Sequence, residues 1–171
     1  TYCYRIVMRF DDGSESLASN EFCASIIKDV PVMTHADVMV TDEVIGEVNV
    51  GWSPPTEMDT LVFPLPYYYK VFRNNNQIIE IADTNYIDTG LNTTSVQHFY
   101  KVEAWSTTSE GDFIVGSSVP ASTPFITLVG YDNSIDLVLD VIVPWYNAKF
   151  YIERKSFNQP DFSPLDTVEL S

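Results

Sequence analysis

Hydrophobic and polar residues alternate at every second position in several separate segments of the chain. The clearest examples are residues 2–8, 48–52, 67–72 and 96–104. Alternation of this kind places the apolar side chains on one face of a β-strand. Gly, Pro and Asn clusters separate the segments, and no segment has the capped, helical spacing of apolar residues. The pattern therefore predicts an all-β sandwich.

Three short segments occur twice in the chain, and a spacing of roughly 90 to 100 residues is typical of one sandwich domain. The similar pairs are Tyr4-Arg5-Ile6 with Tyr100-Lys101-Val102, Pro31-Val32-Met33-Thr34 with Pro124-Phe125-Ile126-Thr127, and Tyr69-Lys70-Val71-Phe72-Arg73 with Phe150-Tyr151-Ile152-Glu153-Arg154. The last pair lies closer together because a longer loop, Ser53 to Pro66, occupies the first copy. The chain is thus predicted to contain tandem copies of one unit.

A known family shares the order of these motifs. Pro31-Val32, Val48 to Pro55 with its central Trp52, Tyr69 to Arg73, Gly90-Leu91 and Tyr100 to Ala104 resemble a fibronectin type III domain, an immunoglobulin-like β-sandwich. The resemblance implies a complete domain at 30–122. It implies the last two strands of a preceding domain at 1–29 and the N-terminal strands of a following one at 123–171.

The family's corner tyrosine is replaced in the complete domain. The resemblance places that tyrosine at Tyr2 in the first partial copy but at His98 in the complete copy. The corner hydrogen bond is therefore expected to be either weakened or replaced by one from an imidazole.

Two further motifs are similar to repeats of gliding-motility-associated surface proteins of bacteria. They are Tyr2-Cys3-Tyr4-Arg5-Ile6 with Ser19-Asn20 and Cys23, and Val143-Pro144-Trp145-Tyr146-Asn147 before Phe150. This resemblance implies an exported protein that lies outside the cell or on its surface, with a structural or adhesive role.

The charge balance excludes two classes of partner. The chain has 24 acidic and 9 basic residues and a formal net charge of −15. Nucleic acids and anionic membrane surfaces need clustered Lys and Arg. The longest apolar stretch, Ile135 to Trp145, still contains Asp136 and Asp140, so no membrane insertion is expected.

The two cysteines lie at equal distances in sequence from a turn signal. Cys3 and Cys23 flank Asp12-Gly13, a dipeptide typical of hairpin turns. If that turn is the hairpin tip, the cysteines face each other and can form a disulfide. Closing a loop of about 20 residues would restrict the unfolded chain by roughly 3 kcal/mol. A disulfide in turn favours export to an oxidising compartment.

The sequence predicts no enzyme and no cofactor, because it lacks nucleophile, zinc-binding and phosphate-loop motifs. A weak calcium hypothesis rests on closely spaced oxygen ligands at Asp11, Asp12, Asp132 and Asp136. The alternative is that these residues form turns in which the carboxylates bond their own backbone.

Two exposed aromatic residues, Tyr68 and Trp105, are the candidate ligand contacts. They would suit a protein or a surface glycan as partner. The leading hypothesis is a non-catalytic stalk or adhesive segment made of repeats, with short linkers such as Ala121-Ser122-Thr123. The alternative hypothesis is a carbohydrate-binding accessory region of a secreted glycan-degrading enzyme.

The two partial copies lead to one more expectation. Each would leave an apolar face and an unpaired strand edge exposed, which is unfavourable. Residues 1–29 are therefore expected to complement residues 123–171, between neighbouring molecules rather than within one.

Overall fold

The computed structural model of the protein describes residues 2–24, 30–56, 58, 60–146 and 149–169. Within these ranges all regular elements are strands, as the alternating pattern predicts. The strands are β1 (Tyr2–Tyr4), β2 (Phe22–Ala24), β3 (Val32–Val40), β4 (Gly46–Ser53), β5 (Tyr67–Arg73), β6 (Asn76–Ile81), β7 (Asn85–Leu91), β8 (Phe99–Thr108), β9 (Gly111–Ser117), β10 (Ala121–Ser122), β11 (Phe125–Gly130), β12 (Ile135–Asp140), β13 (Lys149–Arg154) and β14 (Ser163–Glu169). The described part has no helix that is long and apolar enough to cross a membrane.

Strands β3 to β10 form two antiparallel sheets that pack face to face. One sheet has three strands in the order β3-β4-β7, and the other has five, in the order β10-β8-β5-β6 with β9 also paired to β8. Both sheets contribute to one buried cluster, because alternate side chains of each strand point inward. Its members are Met33, Ala36, Val48, Val50, Trp52, Tyr69, Val71, Leu91, Tyr100, Val102, Ala104 and Ala121.

A buried polar group joins the two sheets. Asp88 of β7 accepts hydrogen bonds from Arg73 Nη1 of β5 at 2.8 and 2.7 Å. It also accepts one from the Tyr100 hydroxyl of β8 at 3.0 Å. Buried polar atoms need such partners, and charge-assisted bonds are the strongest kind. This triad therefore fixes the two sheets against each other.

His98 occupies the corner where the chain enters β8. It is buried, and its Nε2 lies 2.9 Å from the carbonyl oxygen of Asn92, six residues earlier. Of the two outcomes expected from the missing tyrosine, the imidazole hydrogen bond is the one found. The carbonyl oxygen can only accept, so Nε2 is the donor in this hydrogen bond.

The N-terminal hairpin has the predicted disulfide. Cys3 pairs directly with Cys23 across β1 and β2, and the two sulfurs are bonded. The turn lies where Asp12-Gly13 predicts it: Gly13 donates to the carbonyl of Phe10 and has a φ of +85°, which glycine adopts without strain. The disulfide prediction is confirmed.

The C-terminal part consists of two hairpins. Strand β11 pairs with β12, and β13 pairs with β14. In the described residues each hairpin is a separate two-stranded sheet. A cavity of about 670 Å³ lies between them, with Leu128, Leu137, Ile152 and Leu165 among its lining residues. Strands β3 to β10 thus lie within residues 30–122, and the described strands before and after them lie in separate small sheets.

The last strand of the sandwich is hydrogen-bonded to the segment that follows it. Gln97 Nε2 lies 3.1 Å from Ser122 Oγ, from the Thr123 carbonyl and from the Asp140 carbonyl. The Ser122 backbone amide donates to the carbonyl of Ile142, and the Ile142 amide donates to Ser122 Oγ at 2.8 Å. We call Gln97, Ser122 and Ile142 the junction residues.

Candidate functional site

The two predicted contact aromatics, Tyr68 and Trp105, meet on the outer face of the larger sheet, where both are half-buried and not exposed as expected. Tyr68 of β5 and Trp105 of β8 are direct register partners. Their rings stack with centroids 6.4 Å apart and planes at 26°. Strand alternation explains the placement, because Tyr69 points into the core and Tyr68 therefore points away from it.

A lysine covers one side of this aromatic pair. Lys70 Nζ lies 3.7 Å from the Trp105 ring centroid and 5.8 Å from that of Tyr68. The Lys70 side chain is only 20 % exposed and lies 4.0 Å from a Glu80 oxygen. Such cation–π contacts contribute about 0.5 to 2 kcal/mol. A sugar ring that stacks on the same side of Trp105 would therefore have to displace the ammonium group.

The polar atoms next to the pair also have partners on this face. Glu103 accepts a hydrogen bond from Lys101 Nζ at 2.8 Å and one from Trp105 Nε1 at 3.3 Å. The Lys101 ammonium lies 4.7 Å from the centroid of Phe72. The face consequently combines contacts along β8 with cross-strand contacts to β5, and these stabilise the sheet whether or not a ligand binds.

The environment of Tyr68 keeps its hydroxyl protonated. Partial burial raises the pKa of this phenol, and the nearby carboxylates of Asp112 and Glu80 raise it further. A neutral phenol can donate a hydrogen bond as well as accept one. Tyr68 thus offers an aromatic ring at the edge of the pair, while a hydrogen bond to the Asp112 carboxylate engages its hydroxyl.

Asp12, one of the weak calcium candidates, is hydrogen-bonded to a residue of its own turn. Asp12 Oδ1 accepts from the Ser14 amide at 2.9 Å and from the Ser14 hydroxyl at 2.6 Å. These hydrogen bonds lower the pKa of Asp12. The arrangement is an Asx turn, which was the alternative to a calcium ligand. Asp11 lies beside it in the same exposed turn.

The second pair of calcium candidates lies at the opposite end of the chain. Asp132 belongs to the turn between β11 and β12, and Asp136 lies on β12 opposite Val129. Among the described residues, the group of three side chains close enough to share a metal ion is Cys3, Glu21 and Cys23. Both sulfurs of that group are used in the disulfide, so it offers a single free carboxylate.

Sequence reasoning missed the Arg73–Asp88–Tyr100 triad and the junction residues. The repeated motifs contain Tyr100 and Arg73 without indicating that the two meet, and no motif singles out Asp88. A signal did exist, because an aspartate in an alternating segment occupies an inward position. Gln97 carries no such signal, since its role depends on meeting Ser122 from a distant part of the chain.

Comparison of the chain with protein-family models, with curated proteins and with solved structures gives no match. The function is therefore argued from the chain's own geometry. Three features carry that argument: the bonded junction, the disulfide and the aromatic pair.

Proposed function

We propose that the chain is a non-catalytic structural segment of an exported cell-surface protein. In this proposal its repeats are fibronectin-type-III-like sandwiches joined end to end in a fixed orientation, as in a stalk or an adhesive arm. The resemblance to gliding-motility-associated surface proteins supports the same role. The segment would supply reach and stiffness to whatever domains it carries.

The junction is the observation that carries the proposal. The Gln97 side-chain amide lies within hydrogen-bond distance of three acceptors on both sides of the linker. Ser122 and Ile142 are joined by one backbone hydrogen bond and by a second one from the Ile142 amide to the Ser122 hydroxyl. Val143 and Trp145 pack against the core of the preceding sandwich. A flexible linker would lack such bonds and contacts, because its backbone would be solvated. The arrangement favours a repeat array with little freedom at the joint.

The disulfide and the charge support the cellular placement. Disulfides persist in oxidising compartments, and Cys3 with Cys23 forms one here. The net charge of −15 keeps the chain soluble and repels anionic surfaces. Both features suit a protein exposed to the exterior.

Small-angle X-ray scattering tests this proposal. We expect the dilute protein to scatter as an elongated, stiff particle. The Gln97→Ala variant should show a more flexible profile. Gln77→Ala, an exposed glutamine on β6, is the matched control and should leave the profile unchanged. A flexible or compact profile of the unaltered protein would refute the proposal.

The aromatic pair supports a second candidate function, carbohydrate binding by an accessory region of a glycan-degrading enzyme. Tyr68 and Trp105 stack side by side on the outer face of the larger sheet, and each keeps part of its ring accessible to a sugar. Lys70 weakens this candidate, because its ammonium group covers the Trp105 ring.

A pull-down on insoluble polysaccharides, with calcium and again with a chelator, distinguishes the candidates. Binding that survives the chelator and disappears in Tyr68→Ala and Trp105→Ala variants would establish the carbohydrate function. Lys70→Ala should then strengthen binding, since it uncovers the Trp105 ring. Binding only with calcium would point to the carboxylates of Asp11, Asp12, Asp132 and Asp136, and no binding would favour the structural role.

A further inference from the structure

The segment that joins the sandwich to the strands after it is buried, although connecting segments usually run over a protein's surface. Ala121, Ser122 and Thr123 are 0, 1 and 2 % exposed. Burial begins abruptly, because Val119 is still 62 % exposed. The cover over this segment comes from a part of the chain about twenty residues further on.

Residues 141–145, which we call the strap, lie along the outer side of β10. The Thr123 amide donates to the His98 carbonyl, and the Ser122 amide donates to the Ile142 carbonyl instead. The Ile142 amide donates in return to the Ser122 hydroxyl at 2.8 Å. Neighbouring amides of extended backbone point to opposite sides, so the strap takes the position of a further strand beside β10. It thereby covers an edge of the larger sheet that would otherwise be open.

The strap also turns alternate side chains toward the sandwich. Val141, Val143 and Trp145 are half-buried, whereas Ile142 and Pro144 between them are exposed. A period of two is the pattern of a strand with one buried face. Val143 and Trp145 pack against the core cluster. Two residues that follow the sandwich in sequence therefore contribute to its core.

The strap lies where the two sheets of the sandwich meet at this end. A cavity of about 70 Å³ remains there, and Ala36, Ser122, Val141, Val143 and Trp145 are among its lining residues. Ala36 belongs to β3 in the smaller sheet, and Ser122 belongs to β10 in the larger one. Removing the strap would open the gap between these two strands to water.

We propose that the strap closes the sandwich, so that the sandwich loses much of its stability when the strap is released. Strands β11 and β12 lie between β10 and the strap in sequence, so release of the strap also frees that hairpin. Opening of the sandwich and detachment of the following segment are then one coupled event. This inference goes beyond the proposed function, because a sandwich that binds glycans would need the same closure.

Hydrogen exchange of the whole chain, followed by mass spectrometry, tests the coupling. Peptides from β4 report opening of the entire sandwich, because Val48 and Val50 are fully buried in the sheet that the strap does not extend. Val143→Asp places a carboxylate where a valine packs against the core. We expect it to raise the exchange rate of β4 at least tenfold, which corresponds to about 1.4 kcal/mol in the opening equilibrium.

Two further variants control this measurement. Val138→Asp introduces the same charge on β12, where the valine is 50 % exposed, and should leave exchange of β4 unchanged. Val143→Ala removes only part of the packed side chain and should raise the exchange rate by less than Val143→Asp. The alanine variant also serves if the aspartate variant does not fold, which circular dichroism reveals.

Limited proteolysis of the same proteins reports on the buried segment directly. Proteinase K should leave residues 121–123 uncut in the unaltered chain and in Val138→Asp, and should cut there in Val143→Asp. Unchanged exchange of β4 in both Val143 variants would overturn the proposal, even with a new cut, because the strap would then cover the segment without closing the sandwich. An equal rise in Val138→Asp would overturn it as well, since the added charge alone would explain the effect.

Discussion

Replacing Asp88 with asparagine removes the charge of the buried group that joins the two sheets while keeping its shape. Asp88 accepts three hydrogen bonds, two from Arg73 Nη1 and one from the Tyr100 hydroxyl. The asparagine amide can accept through only one of its two terminal atoms. Arg73 therefore loses its counter-charge, and the Tyr100 hydroxyl competes with Arg73 for the remaining oxygen.

The size of the effect follows from the burial of the two partners. Removing one member of a buried ion pair costs about 3 to 5 kcal/mol. Asp88 has 6 % of its side chain exposed, but Arg73 has 30 %, so the guanidinium regains part of its hydration. We therefore expect a loss of about 2 to 3 kcal/mol in the free energy of unfolding, below the range for a fully buried pair.

Urea denaturation followed by tryptophan fluorescence measures this loss, because Trp52 lies in the core between the sheets. Urea is uncharged and does not screen the ion pair. Asp83→Asn, an exposed aspartate before β7, is the matched control and should change the free energy by less than about 0.5 kcal/mol. Tyr100→Phe should lower the free energy of unfolding less in the Asp88→Asn variant than in the unaltered protein. A loss below about 1 kcal/mol for Asp88→Asn would refute the role given to the triad.

Three further predictions concern other parts of the molecule. Burial and the Asp88 charge raise the pKa of Tyr100 far above its ordinary 10.0, so the folded state keeps a neutral phenol. The unfolded chain releases that proton as pH rises through 10, so stability measured in urea should fall there, and less so in Tyr100→Phe. Reducing the Cys3–Cys23 disulfide should lower the stability of the N-terminal hairpin by about 3 kcal/mol. Limited proteolysis followed by mass spectrometry should then show cleavage in the hairpin and an intact sandwich. Gly46→Ala should lower the free energy of unfolding, measured in urea, by about 1 to 3 kcal/mol, because the added methyl group meets the Leu91 carbonyl oxygen. Gly130→Ala is the control, since its methyl group meets nothing and the free energy should not change.

The strands and the disulfide could be predicted from local information. Alternating residues such as Val48, Val50 and Trp52 define an inward face without knowledge of the partner strand. Cys3 and Cys23 are paired by a turn that has its own signal at Gly13. Such features depend on neighbours in sequence, which is why the all-β class and the hairpin could be predicted.

The polar contacts between distant segments could not be predicted in this way. Gln97 gains its role only because Ser122 and Asp140 are brought to it by the fold. The position of Lys70 over Trp105 likewise depends on how β5 lies beside β8. Sequence reasoning placed Tyr68 and Trp105 at the surface but gave no indication of the lysine that covers them.

The fixed joint between the sandwich and the segment after it is the central claim, and a distance measurement across that joint tests it. Spin labels at Thr89→Cys on β7 and Thr127→Cys on β11 occupy exposed positions on either side. Dilution with unlabelled protein removes distances between molecules. Pulsed electron paramagnetic resonance should give one narrow distance distribution, retained in Gln77→Ala and broadened in Gln97→Ala. A broad distribution in the unaltered junction would contradict the account.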